Sequence, residues 1–458
     1  MTTFAAGRAP VHLSGRGRAA LLAPLLVLSL SARPGAAGDD VLTLAQALRV
    51  TAARSQAAVA AGLDVDAARE ATNRVKASFL PSISVSGGWF ARDHEVVAVF
   101  GTVEVPTTQK NFFVGEISAT QLLWDGGRRS TSLSASARTE QAAEARGHAA
   151  VLGAQLEALN AYLTVLALKA QRGVVEERVA SLEGHRREAR DLYEEGQVAR
   201  SDVLGTEVRL RTVRDRLPQL EDGAAVATEA LNRLMGNGPG EPVAFPASLP
   251  PPRPLPHDAA ALRRFAAERN PRLLALRARL DVERKTAELK RREDYPSVFA
   301  QASHTYQENE YLSYPNANVL FLGLSWSAWD GGARAAARRQ ADLAAEKTER
   351  EIEDVTKALG IEIDRADREL AQALREAATA EENAAASAET LRIVEDQYRA
   401  GVARSTEVLD AEAALAENRF ASVSQRYAAY LRQGVLLAFA DLDLPAFFEG
   451  AGPAGEEK

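Results

Sequence analysis

The chain of 458 residues contains no cysteine and only two methionines. It therefore has no disulfide framework, no thiolate metal ligand and no cysteine nucleophile. A lipid-modified N-terminal cysteine is excluded on the same ground. Aromatic residues are 6% of the chain while hydrophobic residues are 46%. Ala, Leu, Arg and Glu dominate the long middle stretches, which favours long helices and a thin, linear core. The six histidines are scattered and show no His-x-x-x-His spacing. With no phosphate loop and no nucleophile motif either, neither a metal nor a cofactor nor a catalytic residue is expected. Past the first 38 residues no run reaches 18 apolar residues, so no transmembrane helix is expected.

Residues 1–38 read as a secretory signal that is removed by cleavage. Arg8, Arg16 and Arg18 give a positive start, and Gly35, Ala36, Ala37 and Gly38 offer small residues for cleavage. Between them, Ala19–Ala32 is a 14-residue apolar run broken only by Pro24, Ser29 and Ser31. That run is shorter than the about 20 residues a spanning helix needs. Taking its four Arg from the 55 basic and 62 acidic residues leaves 51 against 62, a balance of −11. This charge argues against a nucleic-acid partner.

Two periods alternate along the remainder. Leu42–Arg54 and about Gln56–Ser78 have helical spacing, with Leu44, Ala47, Leu48 and Ala52 on one face of the first. Beyond Pro81 the period becomes two. Ile83, Val85, Gly87, Trp89 and Ala91 alternate with Ser82, Ser84, Ser86, Gly88 and Phe90, the pattern of a strand with unlike faces. A polar, turn-containing stretch with Pro106 leads to a second strand over Phe112–Leu123. Trp124-Asp125-Gly126-Gly127 then opens a proline-free helix from Arg128 to about Tyr193, where Leu152, Leu156, Leu159, Leu163 and Leu166 form a heptad seam. Tyr193–Leu204 reads as a helix tip. Gly196 stops one helix and Ser201 starts the next, which is expected to run unbroken over Asp202–Met235. Residues 236–257, rich in Pro and Gly, form an extended linker.

The plan then recurs. Helices are expected over Ala259–Arg269 and Pro271–Glu293, and a β-hairpin over about 297–328. Trp329-Asp330-Gly331-Gly332 opens a second long helix to Tyr398, and Gly401 and Ser405 mark a second tip. Trp124 to Trp329 and Gly196 to Gly401 are both 205 residues apart. Residues 39–235 and 258–440 are therefore read as two copies of one unit, with 441–458 as a C-terminal tail that is mobile after Pro445. Pro81 to Trp124 spans 43 positions and Pro296 to Trp329 only 33. The excess is assigned to the loop of the first hairpin, which lies at about 82–123.

The strands are near the roughly 9–11 residues that a tilted membrane strand needs. Four strands do not close a barrel, since single-chain barrels begin at about eight. Open edges in lipid cost several kcal/mol per unpaired backbone group. Either the barrel is shared between subunits, or the strands form a soluble sheet packed on the helices.

The signal, the duplicated helix–helix–hairpin–long helix–tip–helix plan, the paired Trp-Asp-Gly-Gly and the Tyr-x-x-Gly…Val-Leu-x-Ala-Glu stretch resemble the TolC family of outer-membrane efflux proteins. The resemblance covers nearly the whole mature chain. It implies a mainly α fold with a β-hairpin in each repeat, assembled as a homotrimer in outer-membrane lipid. Three chains would share a twelve-stranded transmembrane β-barrel and a twelve-helix periplasmic tube, an α-barrel. The implied function is a passive exit duct for efflux or type I secretion, without enzymatic chemistry, coupled through a periplasmic adaptor to an inner-membrane pump or exporter. Two other readings are a periplasmic adaptor and a secreted coiled-coil protein. An adaptor would have one helical hairpin flanked by β domains, and a coiled coil would not need Ser-alternating strands.

The resemblance also assigns residues. Glu407 and Asp410, three apart on one helix face, fall on the acidic positions that narrow the family's periplasmic entrance. In a trimer they would gather six carboxylates near one axis and draw cations. Taken alone they are a solvated acidic face. Asp202 and Tyr398 fall on positions that tie neighbouring helices and hold the entrance shut. The family's arginine in that network would fall on Ala403, whereas this chain has Arg404, about 100° further round a helix. Taken alone, Tyr398 is packing at a helix end. Gly196, Ser201, Gly401 and Ser405 belong to tips that would meet the adaptor's helical hairpin. Trp124 and Trp329 end strands at the junction of barrel and tube, with Asp125 and Asp330 as helix caps. Gly126, Gly127, Gly331 and Gly332 permit the tight turns. Gly205 stands in the first tip where the second has Asp410, which places the selective gate on the second repeat.

Overall fold

The computed structural model describes residues 41–449, so the expected signal lies outside them. In the first half, α1 (Leu44–Arg54) and α2 (Gln56–Ala77) lead into β1 (Ser82–Ala91), the short β2 (Val96–Phe100) and β3 (Val103–Thr108), then β4 (Asn111–Trp124). The long α3 (Arg128–Glu194) descends to the first tip, and α4 (Arg200–Arg214) and α5 (Arg216–Met235) return from it. In the second half, α6 (Ala259–Arg269) and α7 (Pro271–Arg292) precede β5 (Ser297–Gln307) and β6 (Asn316–Ser325). Then come α8 (Ala333–Arg399), α9 (Ser405–Phe439) and the short α10 (Leu444–Glu449). Helices α3 and α8 have 67 residues each, about 100 Å of rod at 1.5 Å per residue.

The two long helices begin with the same device. Gly127 and Gly332 stand at their N-termini with φ of 81° and 89°, a conformation that glycine adopts without strain. The acid two residues earlier supplies the cap. Asp125 accepts from the Gly127 and Arg129 amides at 3.1 and 2.9 Å, and Asp330 accepts from those of Gly332 and Arg334 at 3.0 Å each. The same carboxylates bind the Arg129 and Arg334 side chains. Of the tryptophans expected at this junction, Trp124 ends β4, but Trp329 lies four residues beyond the end of β6 and is 86% exposed.

The core is a chain of clusters along the rods. The largest gathers Leu48 of α1, Leu159, Tyr162, Leu163 and Leu166 of α3, Met235 of α5 and Tyr430 of α9. Leu152 and Leu156 of the heptad seam are half-buried beside it. Gly434 of α9 meets α3 closely here, because a Cβ at that position would run into the Leu159 side chain. By length and composition, one 18-residue window of α3 is apolar enough to cross a membrane, which differs from the expectation drawn from unbroken apolar runs. Leu262 of α6, Leu273 of α7 and Ile363 of α8 form a second cluster.

Three expectations need correction. The helix expected over Asp202–Met235 breaks at Asp215, between α4 and α5. Pro218 offers no N–H to the Arg214 carbonyl, and its ring crowds that carbonyl. The excess loop of the first hairpin is itself paired, β2 against β3, around Gly101 at φ 67°. The tail expected from residue 441 includes α10, whose Leu444 and Phe448 are buried in the largest cluster.

Two stability measurements follow from this packing. Gly434→Ala should lower the denaturation midpoint by the equivalent of about 1–3 kcal/mol through overpacking against Leu159. Gly153→Ala, at an exposed α3 position with open space around it, should leave the midpoint unchanged or raise it. Asp125→Ala should cost about 1–2 kcal/mol through the lost cap and the stranded Arg129. The loss should exceed that of Asp330→Ala, because Asp125 is only 5% exposed. Circular dichroism melts of the detergent-solubilised protein check both comparisons.

Candidate functional site: a two-faced sheet and paired helix tips

The long strands form one antiparallel sheet in the order β1-β4-β5-β6. Residues directly opposite each other share a face, so the register sorts side chains into rows. One face carries Ile83, Ala119, Ala302 and Leu320 in one row, with Val85 beside Ile117 and Ala300 beside Leu322 in the rows flanking it. The opposite face carries Ser84, Ser118 and Ser303, then Ser82, Thr120 and Gln301, then Ser86, Glu116 and Thr305, rows that β6 completes with Val319, Phe321 and Ala317. Ser84 and Ser118 hydrogen-bond across the strands at 2.8 Å. Neither face is covered, as Val85 is 77% and Leu320 82% exposed. A soluble sheet buries its apolar face; this one leaves it exposed, with a face richer in hydroxyls across β1, β4 and β5 opposite. The outer edges of β1 and β6 have no partner strand among the described residues.

Each long strand is continuous with a helix, and the helices keep the strand order. Thus α2 lies beside α3, α3 beside α7, and α7 beside α8. Ion pairs Arg279–Glu351, Arg284–Glu349 and Arg291–Asp342 tie α7 to α8. Towards the tips the neighbours of α3 become α4, α5 and α9, and α9 packs on α8.

Both tips close in one way. Gly196 has φ 75° and Gly401 φ 73°. The amides of Gly196 and Gln197 donate to Tyr193 and Leu192 carbonyls, and those of Gly401 and Val402 to Tyr398 and Gln397 carbonyls, at 2.8–2.9 Å. This is the Schellman arrangement that ends a helix at glycine. The next helices do not start on the expected serines. Ala199 and Arg404 occupy the cap positions without side-chain caps. Ser201 lies exposed within α4, and buried Ser405 is the first residue of α9.

The structure brings some of the sequence-predicted residues together and separates others. Asp202, Tyr398, Arg404 and Ser405 line one open cleft of about 490 Å³ between the tips. Tyr398 is 4% exposed, in an apolar cluster with Leu391 and Val408, and Ala403 packs against that cluster. Arg404 is exposed instead. The Tyr398 ring faces His185 of α3, with centroids 4.9 Å apart, and the His185 Nε2 is 2.9 Å from the Ser405 hydroxyl. Burial pushes the His185 pKa down, with Asp202 opposing that shift. Burial also pushes the Tyr398 hydroxyl up, reinforced by Glu188 and Asp202. Glu407 and Asp410 lie outside this group on an exposed face of α9. Asp410 pairs with Arg209 of α4 at 3.3 Å, largely in solvent.

Three polar side chains at the tip seam were given no role from the sequence: Ser181 and His185 of α3, and Glu412 of α9, which entered only as the last residue of the Val-Leu-x-Ala-Glu stretch. The hydroxyl of Ser181 donates to Glu412, which is 2% exposed. The available signal was positional. Glu412 falls between Val408, Leu409 and Ala416, and His185 between Leu182 and Ala189, on the buried stripes of their helices. Among the described residues no cluster of His, Cys, Asp and Glu is placed to hold a metal ion.

Known proteins share this architecture. The crystal structure of the outer membrane protein VceC from Vibrio cholerae superimposes with a TM-score of 0.72 at 16% identity, over 87% of this chain and 95% of VceC. The open state of the Neisseria gonorrhoeae MtrE outer membrane channel gives 0.72 at 16% identity, over 88% and 89%. These likenesses establish the fold. In sequence, the chain is 27% identical to protein CyaE of Bordetella pertussis over 324 residues, 66% of this chain and 65% of CyaE. It is 30% identical to the alkaline protease secretion protein AprF of Pseudomonas aeruginosa over 173 residues, 35% of each. The chain thus spans just under two thirds of CyaE and about a third of AprF in these matches. The sequence profile described as "Outer membrane efflux protein" matches residues 45–237 and 262–437, well over half of the chain. The chain belongs to the outer membrane efflux protein family.

Proposed function

We propose that three copies of this chain form a passive duct through the outer membrane and the periplasm. The observation that carries the reading is the uncovered, two-faced sheet with free β1 and β6 edges. Lipid accepts the apolar face, water fills the lumen against the Ser, Thr, Gln and Glu rows, and the edges pair between copies. Three copies of four strands give a barrel in the ordinary size range. Because the helices follow the strands in order, the same closure makes a tube of α2, α3, α7 and α8, continued to the tips by α3, α4, α5, α8 and α9. The signal sends the chain to the periplasm and is then cleaved, and no lipid anchor is used.

The tips form the periplasmic entrance. Glu407 and Asp410 on the exposed face of α9 supply its acidic ring, and Asp202 and Tyr398 steady the neighbouring helices, with Arg404 beside them in the cleft. The tips around Gly196, Ser201, Gly401 and Ser405 receive a periplasmic adaptor, and an inner-membrane pump or exporter supplies the work. The duct itself performs no chemistry and uses no cofactor. The similarity to a protein named for alkaline protease secretion supports type I secretion, while the family match supports efflux; one duct serves either exporter.

The protein should fractionate with the outer membrane as a trimer and conduct ions in planar bilayers. A soluble periplasmic monomer overturns the reading. Glu407→Gln combined with Asp410→Asn should reduce cation selectivity several-fold and relieve block by multivalent cations. Unchanged reversal potentials remove the acidic ring from the entrance. A short epitope inserted between Gly101 and Thr102, in the β2–β3 turn, should be labelled on intact cells; a folded variant without surface signal contradicts the topology.

A further inference from the structure

We propose that Glu412 is a positioning residue of the entrance: protonated, its carboxyl group holds α9 on α3 in the closed tip, and ionised, it loosens that seam. The proposal rests on the reading of the tips as the entrance.

Among the described residues, two carboxylates are buried, Asp125 and Glu412. Asp125 is fully served, with two backbone amides and the Arg129 guanidinium. Glu412 is not. One oxygen accepts from Ser181 and the other has no hydrogen-bond partner. An ionised carboxylate offers about four acceptor sites, and a buried charge left so poorly served takes up a proton instead. Glu412 borders a small cavity of about 50 Å³ together with Arg178, Ser181, Leu391 and Leu415. Arg178 acts on the carboxyl only from across the cavity: it makes no direct ion pair with Glu412, and its own Nε lacks a partner.

The surrounding charges are engaged elsewhere. On α3, Glu177 pairs with Arg419 of α9, and His185 lies one turn nearer the tip with Ser405. On α4, Arg209 is held by Asp410 and the Leu409 carbonyl. On α8, Glu395 pairs with Arg399. Glu412 therefore sits where α3 meets the α8–α9 pair; Arg209, Arg399 and Arg419 are held by other partners, and Arg178, which lines the same cavity, stands outside ion-pair distance of it.

Burial pushes the Glu412 pKa up to about 7 from an ordinary 4.5. The Ser181 hydrogen bond and then Arg178 oppose this, Glu395 adds to it, and Arg209 weakly opposes it. The sign follows from linkage. In an opened tip the carboxyl is hydrated and ionises near its ordinary value, whereas the closed seam keeps the proton. The contribution to closure is fully present below about 4.5 and is lost as pH rises to about 7. Between pH 6 and 8 the closed seam loses about tenfold in relative population per subunit. His185 acts the other way and in acid, because its lowered pKa means that protonation would place a charge inside the closed tip.

The test is planar-bilayer conductance of the full-length trimer from pH 6 to 8. Wild type should open at least tenfold more often at pH 8 than at pH 6. Glu412→Gln, which mimics the protonated group, should stay closed across the range. Ser181→Ala removes the donor that favours the ionised form and should move the midpoint to higher pH. If Glu412→Gln does not assemble, the Ser181→Ala midpoint decides. A flat wild-type profile, or a Glu412→Gln or Ser181→Ala profile identical to wild type, overturns the proposal while the duct reading stands. A protein that forms no channel at any pH overturns both.

Discussion

Along the outer edges of β1 and β6, amide and carbonyl groups point away from the sheet with no partner strand among the described residues, beside a face of exposed Ile83, Val85, Leu320 and Leu322. In hydrocarbon such groups cost several kcal/mol each, and in water the apolar face invites association. Only closure by further copies relieves both. The strands alternate in direction from β1 to β6, so in the proposed trimer β6 of one copy would meet β1 of the next in antiparallel fashion. Once that register is set, the positions of α2, α3, α7 and α8 follow, because each adjoins a strand of the sheet.

The rods must then hold together without a globular interior. Their core is divided into separate clusters along the rods, each joining a few neighbouring helices. Where the fold needs a fixed start, polar groups supply it: Asp125 and Asp330 satisfy the amides that open the 67-residue helices. Where it needs a movable end, the packing thins. The tips rest on glycine turns, one apolar cluster and a few buried polar groups, among them His185, Ser405 and Glu412. A seam of this kind responds to protons and partners more readily than the middle of the tube, where Tyr162 and Leu163 are enclosed on all sides.

Most of the architecture was legible in the sequence because it rests on period and punctuation. The change from helical spacing to alternation at Pro81 and Pro296 marked the strands, and Gly196 and Gly401 marked the tips. What escaped depended on single residues acting at a distance. The break at Asp215 follows from Pro218, three residues inside a stretch otherwise helical in pattern. The β2–β3 pairing hid in a segment that reads as polar loop. The helix starts at Ala199 and Arg404 bypass the nearby serines, since Ser405 is turned towards His185, 220 residues earlier. The tip seam escaped for the same reason: a lone Glu on an apolar stripe gains its meaning only from Ser181 and Arg178, which α3 brings to it.

The pair formed by Arg209 and Asp410 joins the two halves of the chain. At the 205-residue offset, Arg209 corresponds to Ala414 and Asp410 to Gly205, so neither partner is repeated. A half-length ancestor with one hairpin and one tip would have needed six identical subunits to close the same ring, and every charge would have appeared six times at equivalent places. Fusing two halves in one gene lowers that rotational order to three. It lets adjacent rods carry unlike charges and unlike stiffness, with α9 continuous and α4–α5 broken at Pro218. Complementary neighbours of this kind are open to a duplicated chain and closed to a strictly six-fold one.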